Sequence, residues 1–184
     1  MSKIRLSYSL LALWKAKRYE DAIKMYLHVD DREPTDAMIR GINFDRMAKD
    51  VALREHRLPD ELGSIKIEPE IYASEKVIAS ISDEFDLSAE FDIRTKDTII
   101  ELKCSEVMDS ADYMNTLQLP FYLYVASINN LPVTKGMIYR YDPSKHTYDV
   151  SIMYPSKRIF DEVADVIETY AHEIQSHFKM EGVV

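Results

Sequence analysis

The whole sequence contains one cysteine and no long apolar run. The single Cys104 excludes an internal disulfide and any metal site built from several thiolates, such as a zinc ribbon or an iron–sulfur cluster. No apolar stretch approaches the roughly 20 residues that a membrane-spanning helix needs, and the hydrophobic stretch near the start is too short for an export signal. We therefore expect a cytoplasmic protein without a membrane segment.

Basic residues are also in the minority. The chain carries 23 lysines and arginines against 32 acidic residues, which gives a formal net charge of −9. This balance argues against a protein that coats nucleic acid through a broad basic surface. A bound divalent cation can nevertheless neutralise part of the acidic excess, so the charge does not exclude an enzyme that acts on DNA.

The 184 residues, 46% of them apolar, are enough for one well-buried core, and we expect one domain spanning residues 1–184. Periodicity predicts the following order: a helix over residues 7–18, a helix from an N-cap at Thr35 to about residue 56, three or four strands over residues 64–104, a helix over residues 111–129, two strands around a Pro143-Ser144 turn, and a last helix. Turn-rich segments at residues 28–34 and 57–64 flank the second helix. This order predicts a layered α/β or α+β domain.

Helical spacing also predicts which faces are buried. In the second helix the apolar side is expected to be Met38, Ile42, Met47 and Val51. In the last helix the expected stripe contains Ile159, Val163, Ile167, Tyr170, Ile174 and Phe178.

Residues 87–104 predict a hairpin whose two strands carry very different faces. A two-residue turn at Lys96-Asp97 would pair residue 94 with 99, 92 with 101 and 90 with 103. The expected core face then holds Leu87, Ala89, Phe91, Ile93, Ile100, Leu102 and Cys104. The expected outer face holds Glu90, Asp92, Arg94, Ile99, Glu101 and Lys103.

On that outer face, Asp92 would lie opposite Glu101, and facing like charges ordinarily destabilise a sheet. A divalent cation would compensate, because Mg²⁺ accepts one or two carboxylates and completes its coordination with water and phosphate oxygens. Lys103, on the same face, would then stabilise the charge that develops in a reaction at phosphorus. The alternative is a solvated strand face on which Arg94 and Lys103 balance the acids.

Gln118 and Tyr122 are four residues apart and are expected on one face of the next helix, together with Asn115. A carboxamide and a phenol can contact phosphate oxygens or base edges without adding charge. The alternative is that Tyr122 belongs to the core and Gln118 to its rim.

These residues form a known pattern: Asp92, eight residues, Glu101-Leu102-Lys103, and then Gln118-x-x-x-Tyr122. The pattern resembles the PD-(D/E)XK nuclease superfamily, in particular its RecB-type branch, which includes CRISPR-associated and viral exonucleases. Leu6-Ser7-Tyr8-Ser9-Leu10 resembles the first helix of that branch, and Gly41-Ile42-Asn43-Phe44-Asp45 resembles its first motif. The resemblance covers residues 6–126 and implies a restriction-endonuclease-like mixed β-sheet flanked by helices.

The resemblance also implies roles for individual residues. Asp92, Glu101 and Lys103 would be catalytic, and Asp92, Glu101, the carbonyl of Leu102 and Asp45 would bind Mg²⁺ or Mn²⁺. Gln118 and Tyr122 would position DNA. Two departures stand out: Asp45 occupies a position where the branch usually has histidine, and the iron–sulfur cysteines of several members are missing, which leaves Cys104 as a core residue.

The expected function is therefore metal-dependent hydrolysis of DNA, with an exonuclease acting on single strands or ends preferred by analogy with the family. One alternative is a catalytically inactive module that keeps the fold to bind DNA or another protein. Another is a structural protein that forms homo-oligomers and carries these charges on its surface.

Overall fold

The structure, a computed structural model, describes residues 3–29, 33–60 and 65–184. The predicted turn segments at residues 28–34 and 57–64 therefore lie partly outside the described residues, as does the expected start of the strands at residue 64. The described elements, in chain order, are β1 (Ile4–Ser7), α1 (Tyr8–Lys15), α2 (Tyr19–Tyr26), α3 (Asp36–Glu55), β2 (Tyr72–Ser80), β3 (Phe85–Arg94), β4 (Thr98–Cys104), α4 (Ser110–Met114), α5 (Gln118–Ile128), β5 (Lys135–Asp142), β6 (Thr147–Met153) and α6 (Lys157–Met180).

In the part of the chain that the structure describes, six strands form one mixed sheet in the order β1-β3-β4-β5-β6, with β2 paired to β3. β1 runs parallel to β3 and β5 runs parallel to β4, whereas the β2–β3, β3–β4 and β5–β6 pairs are antiparallel. Because β2 pairs along the whole of β3, both β1 and β4 must lie on the other edge of that strand. β1 occupies its start and β4 its end.

Two apolar clusters cover the two faces of this sheet. The larger cluster contains residues of α1, α5 and α6, among them Trp14, Phe121 and Phe178. The smaller cluster packs α3 against the sheet through Phe44, Ala48 and Ala52. The sheet is therefore buried on both faces, and the expectation of an α/β fold with a mixed sheet flanked by helices is confirmed.

The predicted apolar side of the second helix is wrong. Met38, Ile42 and Met47 are exposed and Val51 is only half-buried, whereas the buried positions of α3 are Phe44, Ala48 and Ala52. The two alanines are small enough for the helix backbone to lie close to the sheet, and this close packing outweighs the greater hydrophobicity of the methionines. Thr35 does cap the helix, since its Oγ1 accepts a hydrogen bond from the Met38 amide at 3.3 Å.

The single helix predicted over residues 111–129 is two helices. Proline has no amide hydrogen and its ring clashes with the carbonyl four residues earlier, so an unbroken helix cannot pass through Pro120. The chain instead ends α4 at Met114 and begins α5 at Gln118, which places Pro120 in the first turn, where it is tolerated. Asn115 is consequently the C-cap of α4 and does not share a face with Gln118, contrary to the prediction.

Both ends of the fold contain elements that periodicity missed or confirmed only in part. Neither β1 nor α2 was predicted. The first helix ends at Lys15 rather than near residue 18, and Lys17, just beyond that end, has a positive φ of 58°. The hairpin of β5 and β6 and the long last helix match the prediction, with Val163, Ile167, Ile174 and Phe178 buried. Among the described residues, no helix has the length and apolar content needed to cross a bilayer.

Candidate active site

The candidate site lies where β3 and β4 part. The two strands pair at Ile93 with Ile100 and at Arg94 with Ile99, which is the predicted register. The turn between them is closed by a hydrogen bond from the Thr95 amide to the Thr98 carbonyl at 2.9 Å. Beyond Ile93 the ladder stops, although the register would place Asp92 opposite Glu101.

Asp92 fills the gap that the parting strands open. Its Oδ2 accepts a hydrogen bond from the Leu102 amide at 2.8 Å, in place of a backbone carbonyl. On the other side of β3, Ala73 pairs with Ile93 and Glu75 with Phe91, so Ser74 is the residue opposite Asp92. Ser74 has a positive φ of 53°, unusual for a strand residue other than glycine. The ladder is thus irregular on both sides of Asp92.

The predicted division of the hairpin into one core face and one outer face is wrong. Phe91 packs in the larger cluster against Tyr122, whereas Ile93, Ile100 and Leu102 belong to the smaller cluster on the other face. The simple alternation of sides therefore changes at Asp92, and Ile99, expected outside, is fully buried. Because helices cover both faces of the sheet, the acids lie inside the protein rather than on a solvated surface.

Glu101, Lys103 and Gln118 form one hydrogen-bonded network. Lys103 Nζ lies 2.7 Å from Glu101 Oε1 and donates to Gln118 Oε1 at 2.9 Å. Gln118 Nε2 donates to the same Glu101 oxygen at 2.6 Å and lies 3.2 Å from the Tyr122 hydroxyl. Gln118, in the first turn of α5, is therefore hydrogen-bonded to both Glu101 and Lys103 of β4. Gln118 and Tyr122 share one face of the helix, as predicted.

One oxygen of this network is not satisfied. Glu101 is 3% exposed, and its Oε2 has no hydrogen-bond partner among the described residues. A buried carboxylate oxygen without a partner is strongly unfavourable. A positive ligand would be stabilising at such an atom.

The acids are also electrostatically frustrated. Burial, with the nearby Asp92 charge as a second cause, raises the pKa of Glu101 to about 8. Burial likewise raises the pKa of Asp92. Burial opposes the charged form of Lys103, but the Glu101 carboxylate outweighs it and the pKa of Lys103 is raised, so this side chain stays protonated at neutral pH. Raised acid pKa values beside a fixed ammonium are typical of functional sites.

Asp45 of α3 is connected to the site by Lys49, a residue that the sequence analysis did not identify. Lys49 Nζ lies 2.8 Å from Asp45 Oδ1 and 3.5 Å from Asp92 Oδ1, and it donates to Ser74 Oγ at 3.0 Å. The spacing of four residues between Asp45 and Lys49 could have predicted their ion pair, since residues four apart share a helix face. Asp92, which would have completed the group, is distant in sequence.

A second residue that sequence reasoning missed is Tyr113 on α4. The Lys103 ammonium lies 5.4 Å from the centre of the Tyr113 ring, within the range of a cation–π interaction. Nothing in the spacing of the sequence predicted this contact, because it depends on the break between α4 and α5.

The residues present fit a hard divalent cation. Among the residues that the structure describes, no three histidine, cysteine or acidic side chains converge, so a zinc-type cage is not formed. Mg²⁺ needs fewer protein ligands, because it retains waters and takes one or two carboxylates. Asp92 and the unsatisfied Oε2 of Glu101 supply that donor set, and a cation there would relieve both raised pKa values. The roles of Asp45 and the Leu102 carbonyl as ligands stay predictions.

Neither the comparison with protein-family models nor the search of curated proteins found a match to this sequence. The fold, however, has close counterparts among solved structures. An alkaline exonuclease from Laribacter hongkongensis is similar with a TM-score of 0.63 and 12% identity, over 97% of this chain and 91% of that one. A phage-related exonuclease from Haemophilus somnus is similar with a TM-score of 0.59 and 12% identity, over 97% of each chain.

Identities this low show the fold and leave the chemistry to be argued from the site. The likeness extends over nearly the whole of both chains. The chain has the fold of the PD-(D/E)XK nuclease superfamily.

Proposed function

We propose that this chain is a Mg²⁺- or Mn²⁺-dependent nuclease that hydrolyses the phosphodiester bonds of DNA, acting on single strands or on DNA ends. The observation that carries the proposal is the pair of half-buried Asp92 and buried Glu101, in which Glu101 Oε2 has no hydrogen-bond partner among the described residues while Glu101 Oε1 contacts the Lys103 ammonium. This arrangement has no structural benefit by itself, because it places like charges in a poorly solvated cleft. It does match the needs of phosphoryl hydrolysis.

The protein's contribution is to hold charge in fixed positions. Asp92 and Glu101 would bind the cation, with the Leu102 carbonyl as a further ligand. A cation bound there supplies Lewis acidity toward a phosphoryl oxygen and lowers the pKa of water. Lys103 would orient the attacking water and stabilise the negative charge that develops at phosphorus, and its hydrogen bonds to Glu101 and Gln118 prepare it for that position.

Gln118 and Tyr122 have two compatible roles. Gln118 holds both Glu101 and Lys103, and the Tyr122 hydroxyl is within hydrogen-bond distance of the Gln118 amide. Tyr122 is largely buried and stacks edge-on against Phe91, so its ring is part of the core while its hydroxyl faces the site. We propose that these two side chains position the acids and also contact the DNA strand, as the family resemblance implies.

DNA is supported as the substrate by the neighbours of the fold. The Laribacter exonuclease has also been solved in complex with dAMP, a deoxynucleoside monophosphate, at a TM-score of 0.57 to this chain. A mononucleotide of this kind is what digestion from a DNA end releases. The preference for ends over internal cutting rests on this analogy between folds.

End-labelled single- and double-stranded DNA, incubated with the protein in Mg²⁺, Mn²⁺ or chelator, tests the proposal. We expect cleavage in either metal, none in chelator, and products that shorten from an end. Asp92→Asn and Lys103→Ala should each lower the rate by on the order of 10²-fold or more, because each removes a charge needed in the transition state.

The matched controls are Asp50→Asn and Lys157→Ala, which remove an exposed acid paired with Arg54 and an exposed lysine paired with Asp161. Both controls should cleave like the unaltered protein. Metal-independent cleavage would contradict the proposal. So would a complete lack of cleavage and of metal binding by the folded chain, which would instead favour the inactive DNA- or protein-binding module.

A further inference from the structure

Three oxygen atoms from three separate elements converge on the Lys49 ammonium. Asp45 Oδ1 of α3 lies 2.8 Å away, Ser74 Oγ of β2 lies 3.0 Å away, and Asp92 Oδ1 of β3 lies 3.5 Å away. The Lys49 side chain is only 15% exposed. Oxygens gathered in this way around a positive charge resemble the surroundings of a bound cation.

The backbone is arranged to permit this convergence. Ser74 lies opposite Asp92 and takes a positive φ, an uncommon conformation for a residue with a side chain. Asp45 and Lys49 lie one helical turn apart on α3, so the carboxylate and the ammonium reach the gap in the sheet together. A surface salt bridge would need neither the irregular strand nor the third oxygen.

Charge balance limits what else the site can hold. Asp45, Asp92 and Glu101 carry three negative charges when ionised, and Lys49 and Lys103 carry two positive charges, which leaves one net negative charge. One divalent cation already exceeds that charge, and a second would meet the Lys49 ammonium at close range. Among the described residues, Glu101 Oε2 is the buried carboxylate oxygen of this group that has no hydrogen-bond partner, whereas Asp45 Oδ1 and Asp92 Oδ1 both contact Lys49.

We infer that Lys49 occupies the position between Asp45 and Asp92 that a second divalent cation would take, so that the centre binds a single ion. Lys49 thus acts as a built-in cation that neutralises Asp45 and one oxygen of Asp92. The exchangeable ion is confined to the side formed by Asp92 and Glu101. This inference rests on the proposed metal-dependent nuclease function, and it assigns Asp45 to Lys49 rather than to the exchangeable ion.

Counting bound Mn²⁺ tests the inference without any measurement of activity. Free Mn²⁺ is measured by electron paramagnetic resonance during titration of the full chain, the Lys49→Met variant, the Lys49→Arg variant and the double variant Lys49→Met with Asp45→Asn. We expect one ion per unaltered chain, two per Lys49→Met chain, one per Lys49→Arg chain and one per double-variant chain. Arg54→Met, which removes another i,i+4 ion pair of α3, is the matched control and should bind one ion.

The outcomes separate the two proposals. No Mn²⁺ on the unaltered chain would overturn the proposed function and this inference with it. Two ions on the unaltered chain would overturn this inference alone, whether or not the Lys49 variants fold. One ion on a folded Lys49→Met chain would also overturn it, because removal of the ammonium would then have opened no position. Two ions on Lys49→Met that fall to one in the double variant would place the new ion at Asp45.

Discussion

The Asp92–Glu101 pair of the candidate site and a second group of charged residues on the same sheet have their hydrogen bonds satisfied to very different degrees. In the Asp92–Glu101 cluster, which includes Lys103 and Gln118, Glu101 Oε2 lacks a hydrogen-bond partner among the residues that the structure describes, and the pKa values of both acids are raised. The second cluster consists of Arg140, Asp142 and Asp149 with the Ser105 carbonyl, and is called here the Arg140–Asp142 cluster. Both clusters hold an almost fully buried acid.

In the Arg140–Asp142 cluster the donors are complete. Arg140 donates to Asp149 Oδ2 at 2.7 Å, to Asp142 Oδ2 at 2.9 Å and to the Ser105 carbonyl at 2.6 Å. Asp142 Oδ1 accepts from the Ser144 hydroxyl at 2.6 Å and from the Ser144 amide at 3.0 Å. The Ser144 hydrogen bonds, together with Arg140, lower the pKa of Asp142. Arg140 and Asp142 therefore have their charged groups paired with other groups of the fold.

The difference indicates which cluster stabilises the protein and which one is available for chemistry. The Arg140–Asp142 cluster is built largely from the β5–β6 hairpin, so neighbouring strands bring its members together. The Asp92–Glu101 cluster and its surroundings draw on α3, β2, β3, β4 and α5. A cluster that requires so many elements and still leaves an oxygen unsatisfied is one that a ligand completes.

Removing one charge from each cluster is the most direct test of this difference between them. Glu101→Gln should lower DNA cleavage by on the order of 10³-fold while the chain stays folded, because the removed charge serves the reaction. Arg140→Ala should instead lower the free energy of unfolding by about 3–5 kcal/mol, because Asp142 Oδ2, Asp149 Oδ2 and the Ser105 carbonyl lose the hydrogen bonds that Arg140 donates and the buried Asp142 loses its charge partner. Cleavage assays and urea unfolding of the same two variants measure both effects.

Two results would contradict this distinction between the clusters. If Glu101→Gln unfolded the chain in chelator, the Asp92–Glu101 cluster would be structural. If Arg140→Ala were fully folded and yet bound no Mn²⁺, the Arg140–Asp142 cluster would be part of the site.

The raised pKa of Glu101 should also make the stability of the protein depend on pH. The folded pKa of Glu101 is about 8, above its ordinary value of 4.5, so the folded chain holds a proton that the unfolded chain releases. The stability that this protonation contributes is present below pH 4.5 and is lost as the pH rises toward 8. The linkage corresponds to at most about 1.4 kcal/mol per pH unit.

In chelator, the midpoint of thermal unfolding should therefore fall between pH 5 and pH 8 by more in the unaltered protein than in Glu101→Gln. Mn²⁺ should remove most of that difference, because the ion binds the ionised carboxylate. Parallel curves for the two proteins in chelator would show that Glu101 is not held at a raised pKa.

A smaller effect is expected from the packing that holds α5 against the sheet. A Cβ added at Gly136 would lie 2.7 Å from Leu119 Cδ1 and 2.8 Å from its Cγ, so the fully buried Leu119 side chain would have to shift. Gly136→Ala should lower the free energy of unfolding by about 1–3 kcal/mol through overpacking. Because Leu119 follows Gln118, the same change should weaken Mn²⁺ binding.

Gly41→Ala is the matched control, since its added Cβ meets nothing within 4 Å. It should raise helix stability by up to about 1 kcal/mol and leave Mn²⁺ affinity unchanged. Equal losses of stability in the two variants would show that the contact between β5 and α5 is not the cause. Chemical denaturation and Mn²⁺ titration of both variants provide the measurements.

Local patterns predicted much of the fold correctly, for identifiable reasons. The register of the β3–β4 hairpin follows from its two-residue turn, and the cap at Thr35 follows from the chemistry of its hydroxyl. Patterns failed where tertiary packing outweighed local preference. Spacing alone identified the exposed methionines of α3 as its buried side, and it missed that Pro120 divides one helix into two.

The sequence by itself determined the chemical composition of the candidate site: an Asp, a Glu-x-Lys and a Gln-x-x-x-Tyr at fixed separations along the chain. Each separation is short enough for local geometry to set the register and the helix face. Tertiary structure alone decided that Glu101 is buried, that its Oε2 lacks a partner among the described residues and that Lys49 contacts both Asp45 and Asp92. Those properties depend on elements far apart in sequence that come together only when both faces of the sheet are covered.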